Sequence, residues 1–310
     1  MITQFYVPSE APLIPRIVPK PLLVSANSLF SFTFYSSLAI GSILAGPALR
    51  FFGTRGVFVV IALLFAAASA LSSRIPSQSE GTVGVRLLLK YDFGYLFSRI
   101  WHNLVEGVRY VQQARDIAES IMLLTGTQII MVLLGTLGPG FADKVMHIDI
   151  RDASLFIVAP AVVGILAGVV WVGTVGYKHN SRRLITFGVN AAGWILFCIA
   201  ASVWLINLRA FHWLTQTHAV LPIEVTLFFL LGFANSCLDV PANAMLQDKA
   251  RGALHGRVYG MLTAFIGGVG ILPVVVGGIL ADTIGIGNVL FILGAGIIFY
   301  GIYRIRYNRQ

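Results

Sequence analysis

The sequence predicts an all-α protein: a polytopic membrane helix bundle with about eight transmembrane helices. Charged residues make up only 11% of its 310 residues and hydrophobic residues 57%, with a mean hydropathy of +0.82. A soluble domain carries about 25% charged residues. Because water solvates a surface with so few charges poorly, lipid is the expected solvent of this chain.

The basic balance does not indicate nucleic-acid binding. The formal net charge is +9, but the Lys and Arg residues sit singly between long apolar runs. They form no dense patch of the kind that binds phosphates. The lipid bilayer is therefore an expected partner of the chain, and nucleic acid is not.

Apolar runs divide the chain into three regions. A spanning helix needs about 20 mostly apolar residues, and Gly or Pro within such a run is tolerated. Residues 1–73 hold two such runs, 74–116 form a linker and 117–310 hold six. The spans are expected at 24–49, 56–73, 117–142, 153–176, 184–206, 221–247, 258–281 and 287–304.

The distribution of Lys and Arg predicts the orientation. With eight spans, the N-terminus, the loops 74–116, 177–183 and 248–257, and the C-terminus share one side. That side holds 17 of the 22 basic residues, and the opposite loops hold 5. Since positive charge concentrates on the cytoplasmic side, we expect a multi-pass protein of the plasma membrane with both termini in the cytoplasm.

The linker 74–116 is expected to contain an amphipathic helix over residues 95–113. Apolar residues recur there at helical spacing, and polar residues fill the other face. Such a helix lies in the membrane interface or packs on the cytoplasmic end of a bundle. It would act as a packing linker or as a regulatory sensor. Its apolar face comprises Leu96, Phe97, Ile100, Trp101, Leu104, Val105 and Val108.

Two distant segments resemble each other. Residues 7–13 and 240–246 both read V-P-x-x-A-x-L, and each is followed by a short basic linker and a glycine-containing span. Parallel repeats are typical of transporters whose halves are related by an axis along the membrane normal. Three full spans and most of a fourth precede the later copy in the C-terminal region, whereas almost no sequence precedes the earlier copy. A true repeat would mean that the first half lacks those spans.

Ordered stretches of the chain also resemble the major facilitator superfamily, and within it bacterial drug, macrolide and siderophore exporters. The resemblance covers nearly the whole chain and corresponds to the end of the fourth helix through the twelfth helix of that family. Residues 8–27 resemble the loop before the fifth helix of the family, and Gly46-Pro47-Ala48-Leu49 resembles the motif that closes that helix. Residues 106–110 resemble the helix of the central loop. Residues 240–247 together with 257–260 resemble the junction of the tenth and eleventh helices, and residues 278–282 resemble the end of the eleventh.

The resemblance implies two helices of an N-terminal bundle followed by a complete C-terminal six-helix bundle. It implies alternating access by rocking of two bundles, with the missing N-terminal helices supplied by a full-length or neighbouring chain. The 310 residues alone are then expected to form no closed central cavity. The chain departs from the family at Arg50-Phe51, where a Gly pair is usual, and at Tyr177, near the position of an acidic residue.

Polar residues within the spans are the candidates for a substrate or ion pathway. Asn235, Asp239 and Asn243 fall on one face of their helix, three turns beyond Glu224. Asp239 is interpreted as a proton or cation site, as a substrate contact, or as a structural helix junction. Gln128 is a further candidate, because the corresponding helix lines the cavity in the family. The candidate motif or gating residues are Gly46, Pro47, Lys178, Arg182, Arg183 and Asp282.

The expected function is secondary active transport of small molecules, with efflux implied by the resemblance and with proton or cation coupling. The sequence has no phosphate-binding loop of the G-x-x-x-x-G-K-[ST] type, no set of nucleophile, His and acid, and no cluster of histidines. We therefore expect no enzyme activity, no metal site and no cofactor. The alternative is a non-transporting membrane scaffold or subunit, or a decayed transporter fragment.

Overall fold

A computed structural model describes residues 14–73, 114–146, 148, 154–207, 220–250, 254–269 and 271–307. These ranges are nearly all helical and contain no strand, which confirms the predicted all-α class for the described part of the chain. The α-helices are α1 (Ile14–Ile17), α2 (Leu23–Ser72), α3 (Arg115–Lys144), α4 (Ala159–Thr174), α5 (Ser181–Asn207), α6 (Val220–Lys249), α7 (Leu254–Ala264), α8 (Ile271–Ile284) and α9 (Ile286–Tyr307).

Seven helical segments among the described residues are long and apolar enough to cross a membrane. Several large apolar side chains on them are exposed, among them Phe187, Ile292 and Phe299, as expected where lipid is the solvent. The chain is thus a polytopic helical membrane protein. The segments are Lys20–Gly41, Arg50–Ser72, Asp116–Lys144, Leu155–Thr174, Ser181–Leu205, Val220–Lys249 and Ile286–Arg306.

The first two predicted spans, 24–49 and 56–73, lie within the single helical element α2. A continuous helix of its 50 residues would be about 75 Å long, more than twice the ~30 Å thickness of the hydrocarbon core. The backbone leaves the helical conformation at Gly53, with φ 62° and ψ 174°. Because L side chains disfavour positive φ, glycine at this position permits the break between the two spans.

The predicted span 258–281 is described in two parts, on either side of residue 270. The helix α7 leads into the π-helical stretch Phe265–Val269, and α8 begins at Ile271. The two parts contain the apolar segments Val258–Gly267 and Val275–Ile284. The π-helical stretch includes the adjacent Gly267 and Gly268, which destabilise a regular α-helix interior.

The chain divides into two compact units, residues 36–105 and a main unit of residues 1–35 and 106–310. In the first of these, the described helix carries exposed apolar side chains, including Phe58, Leu63 and Phe65. The predicted amphipathic helix 95–113 and the earlier repeat copy 7–13 lie outside the described residues.

Glycines allow the helices of the main unit to pack closely. A Cβ built on Gly164 of α4 would lie 1.9 Å from the carbonyl oxygen of Phe229 in α6, and one on Gly232 would lie 2.0 Å from that of Ala161. The α5–α9 pair is also close but less tight, because a Cβ on Gly294 would lie 2.9 Å from the Phe197 nitrogen. Small residues at membrane helix interfaces permit this approach of backbones.

The helix ends that the charge bias assigns to one side lie together at one end of the main unit. Ion pairs join the segment before α2 to the end of α6, and the start of α3 to α5, α6 and α9. The structure thus agrees with the predicted alternation of these helices. The pairs are Lys20–Asp248 at 2.7 Å, Arg182–Asp116 at 2.9 Å, Lys249–Asp116 at 3.3 Å and Arg304–Glu119 at 2.9 Å.

Candidate functional site

A cavity of about 220 Å³ lies among α3, α5, α6 and α9 of the main unit. Its wall, as far as described residues form it, is almost wholly apolar and contains no charged residue. The lining residues are Met122, Leu123, Gly126, Thr127, Ile130, Met131, Val189, Ala192, Leu196, Leu231, Asn235, Leu238, Gly296, Ile297 and Tyr300.

The cavity lies at mid-height in the bundle. Its lining residues Ile130, Leu196, Asn235 and Ile297 each fall within a few residues of the midpoint of their helix. Binding sites of secondary transporters lie near this level, the bilayer midplane. The volume exceeds the ~150 Å³ cavity that accommodates benzene and is below the ~300–1,000 Å³ of drug-sized pockets. It therefore suits a small molecule.

Asn235 is the most notable polar residue of the cavity wall. Its side chain is only 5% exposed, and its Oδ1 accepts no hydrogen bond from the described residues. A buried amide oxygen without a donor costs about 1–3 kcal/mol. Because Oδ1 has almost no accessible surface, a ligand with an N–H or O–H group would offset that cost only after the Asn235 side chain turns toward the cavity.

Two other polar side chains, Thr127 and Tyr300, line the same cavity. The Thr127 hydroxyl donates to the Leu123 carbonyl oxygen in its own helix. Since a hydroxyl has one hydrogen, Thr127 offers the cavity a lone pair only. Sequence reasoning missed both residues. No sequence signal distinguishes Thr127 from other helix-bonded threonines, and Tyr300 looks like an interface aromatic near the end of its span.

The other pathway candidates lie outside this wall. Gln128 is exposed on α3. Asp239 is partly buried, close enough to Tyr35 and Tyr259 for an electrostatic interaction. Asn243 donates from Nδ2 to the Asp239 carbonyl oxygen at 3.1 Å. Of the predicted face, Asn235 therefore lies in the cavity wall, whereas Asp239 lies near Tyr35 of α2 and Tyr259 of α7.

The gating candidates are placed separately. Arg182 is exposed and binds Asp116 of α3 rather than an acid near position 177. Lys178, Arg183 and Asp282 are exposed as well. The remaining two candidates, Gly46 and Pro47, lie within α2.

A pair of buried amides joins the start of α2 to the end of α6. Asn27 Nδ2 donates to Gln247 Oε1 at 2.7 Å, and Gln247 Nε2 donates back to Asn27 Oδ1 at 3.0 Å. Both side chains are 3% exposed. Ser25 adds a hydrogen bond to the Gly173 carbonyl oxygen of α4 at 3.1 Å. These contacts hold the start of α2 on the six-helix region.

Among the described residues, no group of three or more His, Cys, Asp or Glu side chains is arranged to hold a metal ion. Compared with known proteins, the chain matches no protein-family model and no curated protein.

Proposed function

We propose that this chain is a secondary active transporter, or the substrate-binding part of one, for small and mostly apolar molecules. The observation that carries the proposal is the mid-height cavity with Asn235 in its wall. An apolar pocket with one unsatisfied amide suits an uncharged ligand that donates a hydrogen bond. Membership of the major facilitator superfamily and the direction of efflux are part of the proposal and rest on the resemblance of the sequence motifs.

Alternating access supplies the mechanism. The start of α2 and the end of α6 are joined by the Asn27–Gln247 amide pair and by the ion pair between Lys20 and Asp248. A rocking motion that parts these helices would break those bonds at the side we assign to the cytoplasm and would open a path from the cavity. The proposal includes a plasma-membrane location with both termini cytoplasmic, on the basis of the charge bias.

The test measures loss of N-phenyl-1-naphthylamine, an uncharged dye with one N–H group, from cells of the host organism. One strain lacks the chain and a second carries the natural chain. A third strain carries the Asn235→Leu variant, and a fourth carries the control variant Asn288→Leu, in which the replaced amide is exposed and lies outside the cavity. We expect faster dye loss with the natural chain and the control. Removing one hydrogen bond of about 1 kcal/mol should slow loss about fivefold in Asn235→Leu.

A protonophore tests for a driving gradient, and it should abolish the difference between the strains. Equal dye loss in the strain that lacks the chain and the strain that expresses the folded natural chain would overturn the transporter proposal.

A non-transporting membrane subunit is the second candidate. The observation that favours it is the helix Arg50–Ser72, whose large apolar side chains, such as Phe51 at 85% exposure, are open to a lipid or protein neighbour. Under this alternative, deletion of the chain would change the assembly of another membrane protein while dye loss stayed the same.

A further inference from the structure

Glu224 is a buried carboxyl in the first turns of α6, and its exposed fraction is 0%. The residues beside it on α6, Leu221 and Phe228, belong to or pack on the largest apolar cluster, as do Ile199 and Val203 of α5. An ionised carboxylate at such a site is costly, about 2.5–3.5 kcal/mol even on membrane-insertion scales. The group therefore needs a partner or a proton.

The described residues supply no cation for Glu224. None forms an ion pair with it, and no charged group of α3, α4, α5 or α9 acts on it. Its one polar partner among the described residues is Ser202 of α5, whose Oγ lies in hydrogen-bond contact with Glu224 Oε1. The second oxygen, Oε2, has no hydrogen-bond partner in the described part of the chain. A carboxylate here would hold a full buried charge against a single hydroxyl.

The two contacts of the Ser202 hydroxyl indicate where a proton of Glu224 would lie. The Ser202 Oγ also lies 2.7 Å from the Ile199 carbonyl oxygen, so two acceptors compete for one hydroxyl hydrogen. Each contact can be a full two-centre hydrogen bond if Glu224 is a carboxylic acid that donates from Oε1 to Ser202, while Ser202 donates to Ile199; a carboxylate would have to share the single Ser202 hydrogen with the Ile199 carbonyl. The neutral acid satisfies this geometry and carries no buried charge.

A metal cation fits the site poorly. The oxygens at hand are the two of Glu224, the Ser202 hydroxyl and the Ile199 carbonyl, whereas hard divalent cations take six or more oxygen ligands. A proton needs one donor and one acceptor, which the pair provides.

We propose that Glu224 and Ser202 form a proton-binding site, with the proton on Oε1 of Glu224 in the buried state. Asn235 follows eleven residues later on nearly the same face of α6, about 16 Å along the axis. The site lies at the end of the bundle opposite to the ion pairs. The role of this proton in transport rests on the proposed function, whereas its presence on Glu224 does not.

Release of the proton requires water at the site. The O–H bond of Glu224 breaks, the proton passes to water as hydronium, and the carboxylate remains. Ser202 then turns its single hydrogen from Ile199 to the carboxylate, so the same hydroxyl stabilises both states. A conformation that opens this end of α5 and α6 would release a proton, and closure would require one to bind.

The experiment is infrared difference spectroscopy of the purified full chain in lipid nanodiscs near pH 7. Subtracting the spectrum of Glu224→Gln should reveal the C=O stretching band of a protonated carboxylic acid. The control Asp282→Asn removes an exposed carboxyl and should reveal only carboxylate bands. In Ser202→Ala the acid band should move to higher frequency, because the acid loses its acceptor. Absence of an acid band from the Glu224→Gln difference, with both proteins folded by circular dichroism, would overturn the site.

The coupling role is tested separately in the dye-loss assay. Glu224→Gln should make dye loss insensitive to the protonophore and at least several-fold slower in energised cells. An acid band together with unchanged, protonophore-sensitive dye loss in Glu224→Gln would overturn the coupling role. Failure of the proposed function would instead appear as no chain-dependent dye loss in any strain, whatever the infrared result.

Discussion

Replacing Gly164 by alanine tests how much the close approach of α4 and α6 stabilises the main unit. The added Cβ would lie 1.9 Å from the Phe229 carbonyl oxygen, whereas ordinary contacts begin at 3.4 Å. A Cβ on Gly232 would meet Ala161 in the same way, so neither backbone has room to yield. The helices must part by about 1 Å or more, and overpacking of this kind costs about 1–3 kcal/mol. We expect about 2 kcal/mol.

Thiol labelling of Cys237 measures this effect at the interface itself. Cys237 is 0% exposed and packs in one cluster with Val169 and Val172 of α4, so a maleimide reaches it only when α4 and α6 separate. In a Cys198→Ser background, which removes the other cysteine, Gly164→Ala should raise the labelling rate about 30-fold, because 1.4 kcal/mol corresponds to a factor of ten.

The matched control for the labelling experiment is Gly135→Ala in α3, where an added Cβ meets nothing within 4 Å. Alanine stabilises a helix by roughly 0.5–1 kcal/mol relative to glycine, so labelling of Cys237 should stay the same or slow slightly. Equal labelling rates in Gly164→Ala and in the unsubstituted background would refute the reasoning that bare backbone contact holds α4 against α6.

Three further predictions concern the ends of the bundle. Asn27→Leu and Gln247→Leu should each lower the free energy of unfolding by about 1–3 kcal/mol, because each leaves the other buried amide without its partner. The double variant should recover much of this loss in thermal unfolding. Losses that simply add in the double variant would contradict the pairing. Arg304→Met should cost about 3–5 kcal/mol, since Arg304 is 4% exposed and pairs with a carboxylate of α3 at 2.9 Å; a loss below 1 kcal/mol would show that the pair is solvated. A membrane-impermeant maleimide applied to intact cells should label Asp282→Cys and not Lys178→Cys, in the Cys198→Ser background; the reverse pattern would invert the orientation.

Hydropathy and charge predict much of this fold from the sequence. Apolar runs of about 20 residues identify seven membrane-spanning segments, because backbone groups in lipid must be satisfied within a helix. The π-helical stretch Phe265–Val269 is a detail that hydropathy does not predict, because an average over a window does not register the effect of Gly267 and Gly268 on the backbone.

The candidate site is less accessible to sequence reasoning. Helical periodicity shows which residues share the face of α6 that carries Asn235, but not which helix lies opposite. The partners come from elsewhere in the chain: Gln247 binds Asn27 across 220 residues, and Arg182 binds Asp116 across 66. Helix association in lipid depends on the local shape of the helix surfaces and on small residues at the contact. The hydropathy of a span gives no information about either property.

The reciprocal bonding of Asn27 and Gln247 makes the contact between α2 and α6 a matter of register. Each amide is donor and acceptor to the other, at 2.7 and 3.0 Å, so a small slide along the helix axis loses both bonds together. A slide of one turn, about 5.4 Å, would not restore the pair, because Asn27 would then face a different residue of α6. Every other offset therefore leaves two amides without these partners. The junction fixes a single register of α2 against α6, and movement of α2 along α6 requires both bonds to break.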